Sequence, residues 1–262
     1  MTDIYYETYG EGDIDVLMVH GWASSHTMWK NIAAQLNNAR CWMIDLPGFG
    51  QSEIGGSALT IEAHVETVLK FAEKHVRPQV IMGHSMGGLI TLKALSIRPD
   101  LAQQAVLICP VVTGKFGEYG IASEIIRNEF AVNALRATKT LWSTIQNKYL
   151  LSMTLPLMHS NPDLAEQVKK NFMLTRPEAG IEALISMAKQ DTQDYLDEIL
   201  QDTLVCVSEG DTTVPITEGR TAALYMPNAE LATFTKSRHH PMDEQAEDFM
   251  PVLNEFLGRF GL

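Results

Sequence analysis

One serine of the chain stands in a context that suits nucleophilic catalysis. Ser85 is the centre of a Gly-His-Ser-Met-Gly motif at 83–87, which follows the apolar run 80–82 and precedes a helical pattern at 89–97. A strand, a sharp turn and a helix in this order expose a serine hydroxyl at the carboxyl edge of a sheet. The flanking glycines are needed because side chains there would collide with the neighbouring strand or helix. The motif predicts a nucleophile elbow.

A serine hydroxyl needs a general base, and the sequence offers two adjacent histidines. His239 and His240 follow the apolar run 231–234 and precede the last helical pattern. Side chains of neighbouring loop residues point in different directions, so only one of the two can reach Ser85. The residues alone leave the choice open. We predict no metal site, because no other histidine or cysteine stands nearby at ligand spacing.

The acid that orients such a histidine is expected in a loop after a late strand. Asp211 follows the apolar run 204–207, and Glu209 in the same loop is its rival. The order serine, acid, histidine along the chain is the one that accompanies an elbow of this kind. Asp211 is the preferred acid, with Glu209 as the alternative.

Two backbone amides are candidates for an oxyanion hole, which stabilises a tetrahedral intermediate. The N–H of Met86, directly after the nucleophile, is the first. The second is the N–H of Trp22, in the loop after the apolar run 16–19. Gly21 allows that loop to approach a substrate closely. We interpret His20 as a structural hydrogen-bonding residue rather than a catalyst.

Short apolar runs alternate with longer helical patterns, which is typical of a mainly parallel sheet with helices on both faces. The predicted strands are 4–9, 16–19, 41–44, 80–82, 105–109, 204–207 and 231–234. The turn signal at 10–13 suits an antiparallel pair of the first two strands at one edge. From about 112 to 189 the pattern is helical without strands. This predicts a helical cap at 112–189, inserted into a core formed by residues 1–111 and 190–262.

Composition excludes several classes of protein. The 262 residues are 45% hydrophobic and carry a formal net charge of −12, which disfavours binding to nucleic acid. The N-terminus has no signal-peptide pattern, and no apolar run approaches the roughly eighteen residues that span a membrane. Cys41, Cys109 and Cys206 are odd in number and widely spaced, so we expect buried thiols rather than disulfides. We therefore expect a cytoplasmic protein without a cofactor.

Taken together, these motifs resemble the α/β-hydrolase superfamily. The matching features are the His-Gly-Trp loop at 20–22, the turn at 45–52, the elbow, the Gly-Asp and Val-Pro pairs at 210–215, and the His-His-Pro-Met segment at 239–242. The resemblance covers nearly the whole chain and is weakest at 112–189. It implies an α/β-hydrolase fold with a catalytic triad of Ser85, Asp211 and His239. It also implies that His240 packs beside the base.

Within this superfamily the chain is most similar to the pimeloyl-carrier-protein methyl ester esterases of biotin synthesis. That similarity implies hydrolysis of a carboxylic ester through an acyl-enzyme, the ester being a small molecule or bound to an acyl carrier protein. Residues 112–189 carry a net charge of +2 and the remainder −14. The implied contacts with an acidic carrier are basic residues of the cap: Arg136, Lys139, Lys148, Lys169 and Lys170.

Three alternatives to that reaction stay open. A general esterase for short to medium acyl chains would use the same triad. A carbon–carbon bond hydrolase or lyase would combine the triad with a different cap. A ligand-binding protein on the same scaffold would have lost turnover, and the intact set of Ser85, Asp211 and His239 argues against it.

Overall fold

A seven-stranded, mainly parallel sheet forms the centre of the chain. The computed structural model describes residues 4–56, 58–146, 161–259 and 261. The strand order is β1-β3-β2-β4-β5-β6-β7. The strands are β1 (Tyr6–Tyr9), β2 (Ile14–Val19), β3 (Ala39–Ile44), β4 (Val80–His84), β5 (Gln104–Ile108), β6 (Asp202–Ser208) and β7 (Ala229–Phe234). Of these seven described strands, only β1 is antiparallel to its neighbour, which confirms the predicted α/β fold class.

The antiparallel edge pair differs from the predicted one. β1 pairs with β3, not with β2, which follows it in the chain. The cause is the connecting turn, which lies against the start of β3: the N–H of Gly12 donates to the carbonyl of Ala39, and the N–H of Ile14 donates to that of Asn38. Gly10 has φ +81°, and a Cβ there would lie 2.3 Å from the Ala39 oxygen. The turn therefore passes the end of β3 and leaves β1 and β2 on opposite sides of it.

Helices cover both faces of the sheet because side chains alternate along each strand. The helices are α1 (Lys30–Ala33), α2 (Ile61–His75), α3 (Met86–Ile97), α4 (Ile121–Ile126), α5 (Glu129–Ala137), α6 (Trp142–Ile145), α7 (Pro162–Leu174), α8 (Pro177–Ala188), α9 (Ile216–Tyr225), α10 (Pro241–Glu244) and α11 (Ala246–Gly258). In β2, Leu17 and Val19 pack with helices α2 and α3 on one face, whereas Val16 and Met18 pack with α1 and α11 on the other.

The regular secondary structure described between β5 and β6 is helical. Helices α4 to α8 lie there, and no strand occurs among the described residues of the segment. Helix α8 returns to the core: Ala179 and Ala183 belong to the same buried cluster as Leu89 of α3. Of the helices in the described ranges, none combines the length and apolar character that a membrane span requires.

The three cysteines lie in the core of the sheet. Cys41 is in β3, Cys206 is in β6, and Cys109 directly follows β5. All three are buried free thiols, as predicted.

Candidate active site

Ser85 occupies a strained turn between β4 and α3. Its backbone has φ 54° and ψ −116°, a conformation that costs a residue with a side chain about 1–3 kcal/mol. The turn is held in place by the end of β5 and the residues after it. The N–H of Ser85 donates to the carbonyl of Ile108 at 2.9 Å, and the N–H of Val111 donates to the carbonyl of Ser85 at 3.2 Å. The serine therefore lies at the carboxyl edge of the sheet, directly before the first turn of α3.

The elbow glycines are required by close packing of backbone on backbone. A Cβ on Gly83 would lie 2.4 Å from the carbonyl oxygen of Gly87, and a Cβ on Gly87 would lie 2.1 Å from that of Val19. Real Cβ atoms do not come so close to backbone atoms. This explains why the strand can turn into the helix so sharply only with glycine at both positions.

Asp211 and His239 form a directly bonded acid–imidazole pair. His239 Nδ1 lies 2.7 Å from Asp211 Oδ2, so this nitrogen donates and Nε2 carries the lone pair. The other carboxylate oxygen of Asp211 accepts the N–H groups of Thr213 and Val214 at 2.8 and 2.9 Å. Burial pushes the pKa of Asp211 up, but the charge of His239 and these hydrogen bonds hold that pKa below its usual value. The carboxylate therefore stays charged beside the ring.

The two alternative residues, Glu209 and His240, do not take part in this acid–imidazole pair. The Glu209 side chain is exposed to solvent, although it precedes Asp211 by only two residues. His240 is buried, and its ring packs 4.8 Å from the ring of His84, with a centroid 5.5 Å from that of His239. Of the two histidines, it is His239 that meets the acid.

The histidine loop lies directly on the elbow. His84 Nε2 is 2.9 Å from the backbone oxygen of His239, and the two ring centroids are 4.6 Å apart. The Ser85 hydroxyl makes no hydrogen bond to any residue within the described ranges. Ser85 is buried, with 6% of its surface exposed. The site thus places a buried serine near an imidazole whose Nε2 can accept a proton, without a hydrogen bond between Ser85 Oγ and His239 in this structure.

The loop with the second candidate amide also borders Ser85. A Cβ on Gly21 would lie 3.2 Å from the Cβ of Ser85, so the loop passes beside this serine. The Trp22 indole N–H donates to the carbonyl of Gly180 in α8 at 2.8 Å. His20 is a structural residue, as predicted: its Nδ1–H donates to the Gly21 carbonyl, and its Nε2 accepts the N–H of Leu46. The amides of Met86 and Trp22 thus belong to segments on two sides of Ser85.

One group of side chains could bring three metal ligands together. Cys109 Sγ, an Asp211 carboxylate oxygen and a His239 ring nitrogen lie within 4.8 Å of one another. However, Asp211 and His239 already bond to each other. Burial, and then the charge of Asp211, raise the pKa of the Cys109 thiol well above its usual value, which disfavours the thiolate that binds metal. These three side chains are therefore better suited to proton transfer by His239, oriented by Asp211, than to binding a metal ion.

The basic residues expected to face a carrier protein are largely paired. Three of the five form ion pairs with glutamates of the same segment: Arg136 with Glu182, Lys139 with Glu178, and Lys169 with Glu166. Lys170 is exposed on α7, and Lys148 lies outside the described residues. Because of these ion pairs, fewer basic side chains of this segment are available to an acidic partner than the sequence suggests.

Two residues with clear roles in the structure were missed in the sequence. Glu218 of α9 is buried and accepts the N–H groups of Val112 and Thr113, which tie the chain after β5 to the helix that follows Asp211. The sequence marks His84 only as the variable position of the elbow motif. No local signal marks either residue, because their partners are 106 and 155 positions away.

The fold and site define the class of protein. Residues 16–246 match the family model of the alpha/beta hydrolase fold. The chain belongs to the α/β-hydrolase family.

Curated relatives and solved structures agree with this assignment. The pimeloyl-[acyl-carrier protein] methyl ester esterase of Aliivibrio salmonicida is 28% identical over 265 residues, covering 98% of this chain and 96% of the relative. The enzyme of the same name from Serratia marcescens is 25% identical, covering 98% and 99%. An esterase from Exiguobacterium antarcticum has the same fold, with a TM-score of 0.81 at 18% identity over 97% of this chain and 95% of that one.

Proposed function

We propose that this protein is a serine carboxylesterase in which Ser85 is the nucleophile, His239 the general base and Asp211 the orienting acid. The observation that carries the proposal is the 2.7 Å bond between His239 Nδ1 and Asp211 Oδ2, in a loop that rests on the elbow of Ser85. This bond selects the tautomer in which Nε2 accepts the serine proton. The alternatives Glu209 and His240 lack it.

The reaction follows from these groups. Ser85 Oγ attacks the ester carbonyl carbon while its proton moves to His239 Nε2, and the resulting imidazolium is stabilised by Asp211. The N–H groups of Met86 and Trp22 donate to the oxyanion of the tetrahedral intermediate. Collapse breaks the bond to the alcohol oxygen, which leaves with the proton from His239. Water then attacks the acyl-enzyme, with His239 again taking and returning a proton, and the free acid departs.

Helix α3 also supports the developing negative charge. The helix begins at Met86, directly after the nucleophile, so its unpaired amides and positive dipole end face the reacting centre. A mutation that removes one oxyanion-hole donor typically costs about a hundred- to a thousandfold in kcat. This arrangement supports acyl transfer rather than proton abstraction from carbon.

For the substrate, we propose a methyl ester at the end of an acyl chain carried by an acyl carrier protein. The support is the similarity, at 25–28% identity over nearly the full chain, to esterases with that printed activity. We also propose that residues 112–189 form a cap over the site, joined to the core formed by 1–111 and 190–262. The Trp22–Gly180 hydrogen bond and the packing of Ala179 in the core support contact between the two parts.

A hydrolysis panel tests the proposal. The panel compares p-nitrophenyl esters of increasing chain length, methyl esters in free and carrier-bound form, and a dienoic diketone as a carbon–carbon substrate. We expect ester hydrolysis without diketone cleavage, and Ser85→Ala should lower kcat by roughly six orders of magnitude. Ser96→Ala, on the same helix, is the matched control and should leave kcat unchanged.

Two results would contradict parts of this proposal. If Ser85→Ala kept more than a few per cent of the activity, Ser85 would not be the nucleophile. If carrier-bound and free methyl esters were hydrolysed equally well, the esterase assignment would stand and the carrier substrate would be wrong. Cleavage of the diketone in preference to every ester would replace esterase by carbon–carbon hydrolase.

A further inference from the structure

A single imidazole in the elbow contacts two further segments of the proposed esterase site. His84 precedes Ser85 in the elbow, and 2% of its surface is exposed. Its ring lies 4.6 Å from that of His239 and 4.8 Å from that of His240. On another side it borders the oxyanion loop, since a Cβ on Gly21 would lie 2.8 Å from His84 Nδ1. The elbow, the histidine loop and the oxyanion loop therefore meet at this side chain.

One hydrogen bond of His84 joins it to the backbone of the histidine loop. The acceptor is the backbone carbonyl of His239, so the N–H at His84 Nε2 donates to it at 2.9 Å. A bond to the backbone fixes where the His239 chain lies, while Asp211 fixes how its ring is turned. Both are needed to aim His239 Nε2 at Ser85.

His84 is suited to this task because it stays neutral. Burial, followed by the charge of His239, lowers the pKa of His84 to about 3. A neutral ring can donate through one nitrogen without placing a second positive charge beside the imidazolium that forms on His239 during the reaction. A permanently charged side chain at this position would oppose that step.

We propose that His84 is a positioning residue, which holds the backbone of His239 against the nucleophile elbow through its Nε2–H. The proposal rests on the esterase function above. A shift of about 1 Å in a catalytic group can cost about a hundredfold in rate, so loss of this bond should lower kcat about ten- to a hundredfold. KM should stay unchanged, because His84 is buried behind the elbow and the effect acts on His239.

The test compares three variants with the wild-type enzyme. His84→Phe keeps an aromatic ring but removes the donor, and His84→Gln restores an amide N–H that can reach the same carbonyl. His64→Phe is the matched control: His64 is another buried histidine whose pKa is about 3, and neither of its ring nitrogens bonds to a described residue. We expect His84→Phe to lose kcat, His84→Gln to recover part of it, and His64→Phe to match the wild type.

Two further readouts separate positioning from simple loss of structure. Labelling of Ser85 by a fluorophosphonate should slow in His84→Phe in proportion to kcat, measured per folded molecule. The low-field proton NMR signal of His239 Nδ1–H should shift or broaden in this variant and stay unchanged in His64→Phe. A purely structural role would lower thermal stability and leave kcat per folded molecule unchanged.

The outcomes distinguish this inference from the proposed function. A wild-type enzyme inert to every ester and to the fluorophosphonate would overturn the function itself. An active wild type with kcat equal in His84→Phe and His64→Phe would overturn the role of His84 alone. If His84→Phe does not fold, nitrogen NMR of the wild type still decides: the inference requires the neutral Nε2–H tautomer of His84 near neutral pH, and the opposite tautomer or a charged ring would contradict it.

Discussion

Ser85 holds a backbone conformation that favours glycine, so the proposed nucleophile stores strain. Replacing it by glycine removes about 1–3 kcal/mol of strain, offset by about 0.5–1 kcal/mol from the greater freedom of glycine in the unfolded chain. We therefore expect Ser85→Gly to abolish ester hydrolysis and raise the free energy of unfolding by about 1 kcal/mol, measured in urea. Ser96→Gly, within α3, should lower that free energy. If both variants lost stability, the strain argument would be wrong.

The two adjacent histidines should differ sharply in their effect on catalysis. His239→Ala removes the base and should cost as much as the loss of Ser85, because the two act as one unit. His240→Ala removes a ring that packs against His84 and should lower kcat by about tenfold. Steady-state kinetics on folded variants measures both. The reverse ranking would make His240 the base.

The acid should also contribute to stability in a pH-dependent way. The pKa of Asp211 is lowered in the folded protein, so its contribution is complete above the unfolded value of 3.8 and is lost as pH falls through the lower folded value. Asp211→Asn should therefore be less stable than the wild type near neutral pH, with a difference that shrinks below pH 3.8. Urea titrations at several pH values measure this. Glu209→Gln, at an exposed carboxylate of the same loop, is the matched control; a pH-independent difference for Asp211→Asn would contradict the charged acid.

At this scale the sequence predicts only what is local. The elbow is readable because its glycines, serine, strand and helix are contiguous. The residues alone do not decide between His239 and His240, because the choice depends on which ring meets a carboxylate 28 positions away; only the family resemblance indicates His239. The contact of His84 with the histidine loop has no sequence signal for the same reason.

At the scale of elements, Glu218 connects helix α9, which follows the acid loop, to the first residues of the proposed cap. Its carboxylate accepts the N–H groups of Val112 and Thr113 and the Thr113 hydroxyl, in a buried site. Glu218→Ala should cost about 3 kcal/mol of unfolding free energy, because buried donors lose their acceptor. Glu218→Gln should cost about 1 kcal/mol, since its amide oxygen can still accept the backbone groups.

The control for this prediction is a glutamate without buried partners. Glu255→Ala, at an exposed position on α11, should change the unfolding free energy by less than about 0.5 kcal/mol. Chemical denaturation of the three variants gives the comparison. Equal, small effects in all three would show that the Glu218 network adds nothing to stability.

Seven strands are predicted and seven occur among the described residues, but one pairing and several strand ends differ from the prediction. Strand β6 runs from Asp202 to Ser208, beyond the predicted 204–207, because the ladder is built from backbone groups and includes polar residues such as Asp202 opposite Gln104. Apolar periodicity reports burial, so it misses strand ends that are polar. The partner of β1 depends on where the turn at 10–13 crosses β3, which is a tertiary contact.

At the scale of the whole molecule, charge is unevenly distributed along the chain. The proposed cap has a net charge of +2 against −14 for the remainder, yet Arg136, Lys139 and Lys169 each pair with a glutamate. The glutamates of these pairs are already counted in the net charge of +2, which is therefore all that the cap offers at long range. Steering of an acidic carrier should therefore be weak and confined to the cap.

The dependence of kcat/KM on salt concentration should reveal electrostatic steering of the carrier. Electrostatic attraction is screened over about 8 Å at physiological ionic strength, so raising salt from about 50 to 500 mM should lower kcat/KM for a carrier-bound methyl ester. Hydrolysis of a small neutral ester should not change, since it has no charge to steer. Reversing Lys169 and Lys170 to Glu should reproduce the effect of salt on the carrier-bound ester alone.

The matched control reverses two cations at the far edge of the sheet. Lys74 and Arg77 are exposed at the end of α2, next to the amino end of β4, whereas Ser85 follows its carboxyl end. Their change to Glu alters the net charge equally, so it should leave kcat/KM for the carrier-bound ester unchanged if docking is local to the cap. If both double reversals lower kcat/KM equally, the response reflects overall net charge and not a docking surface. If neither does, the carrier approaches by contacts other than Lys169 and Lys170, and the proposed charge steering is wrong.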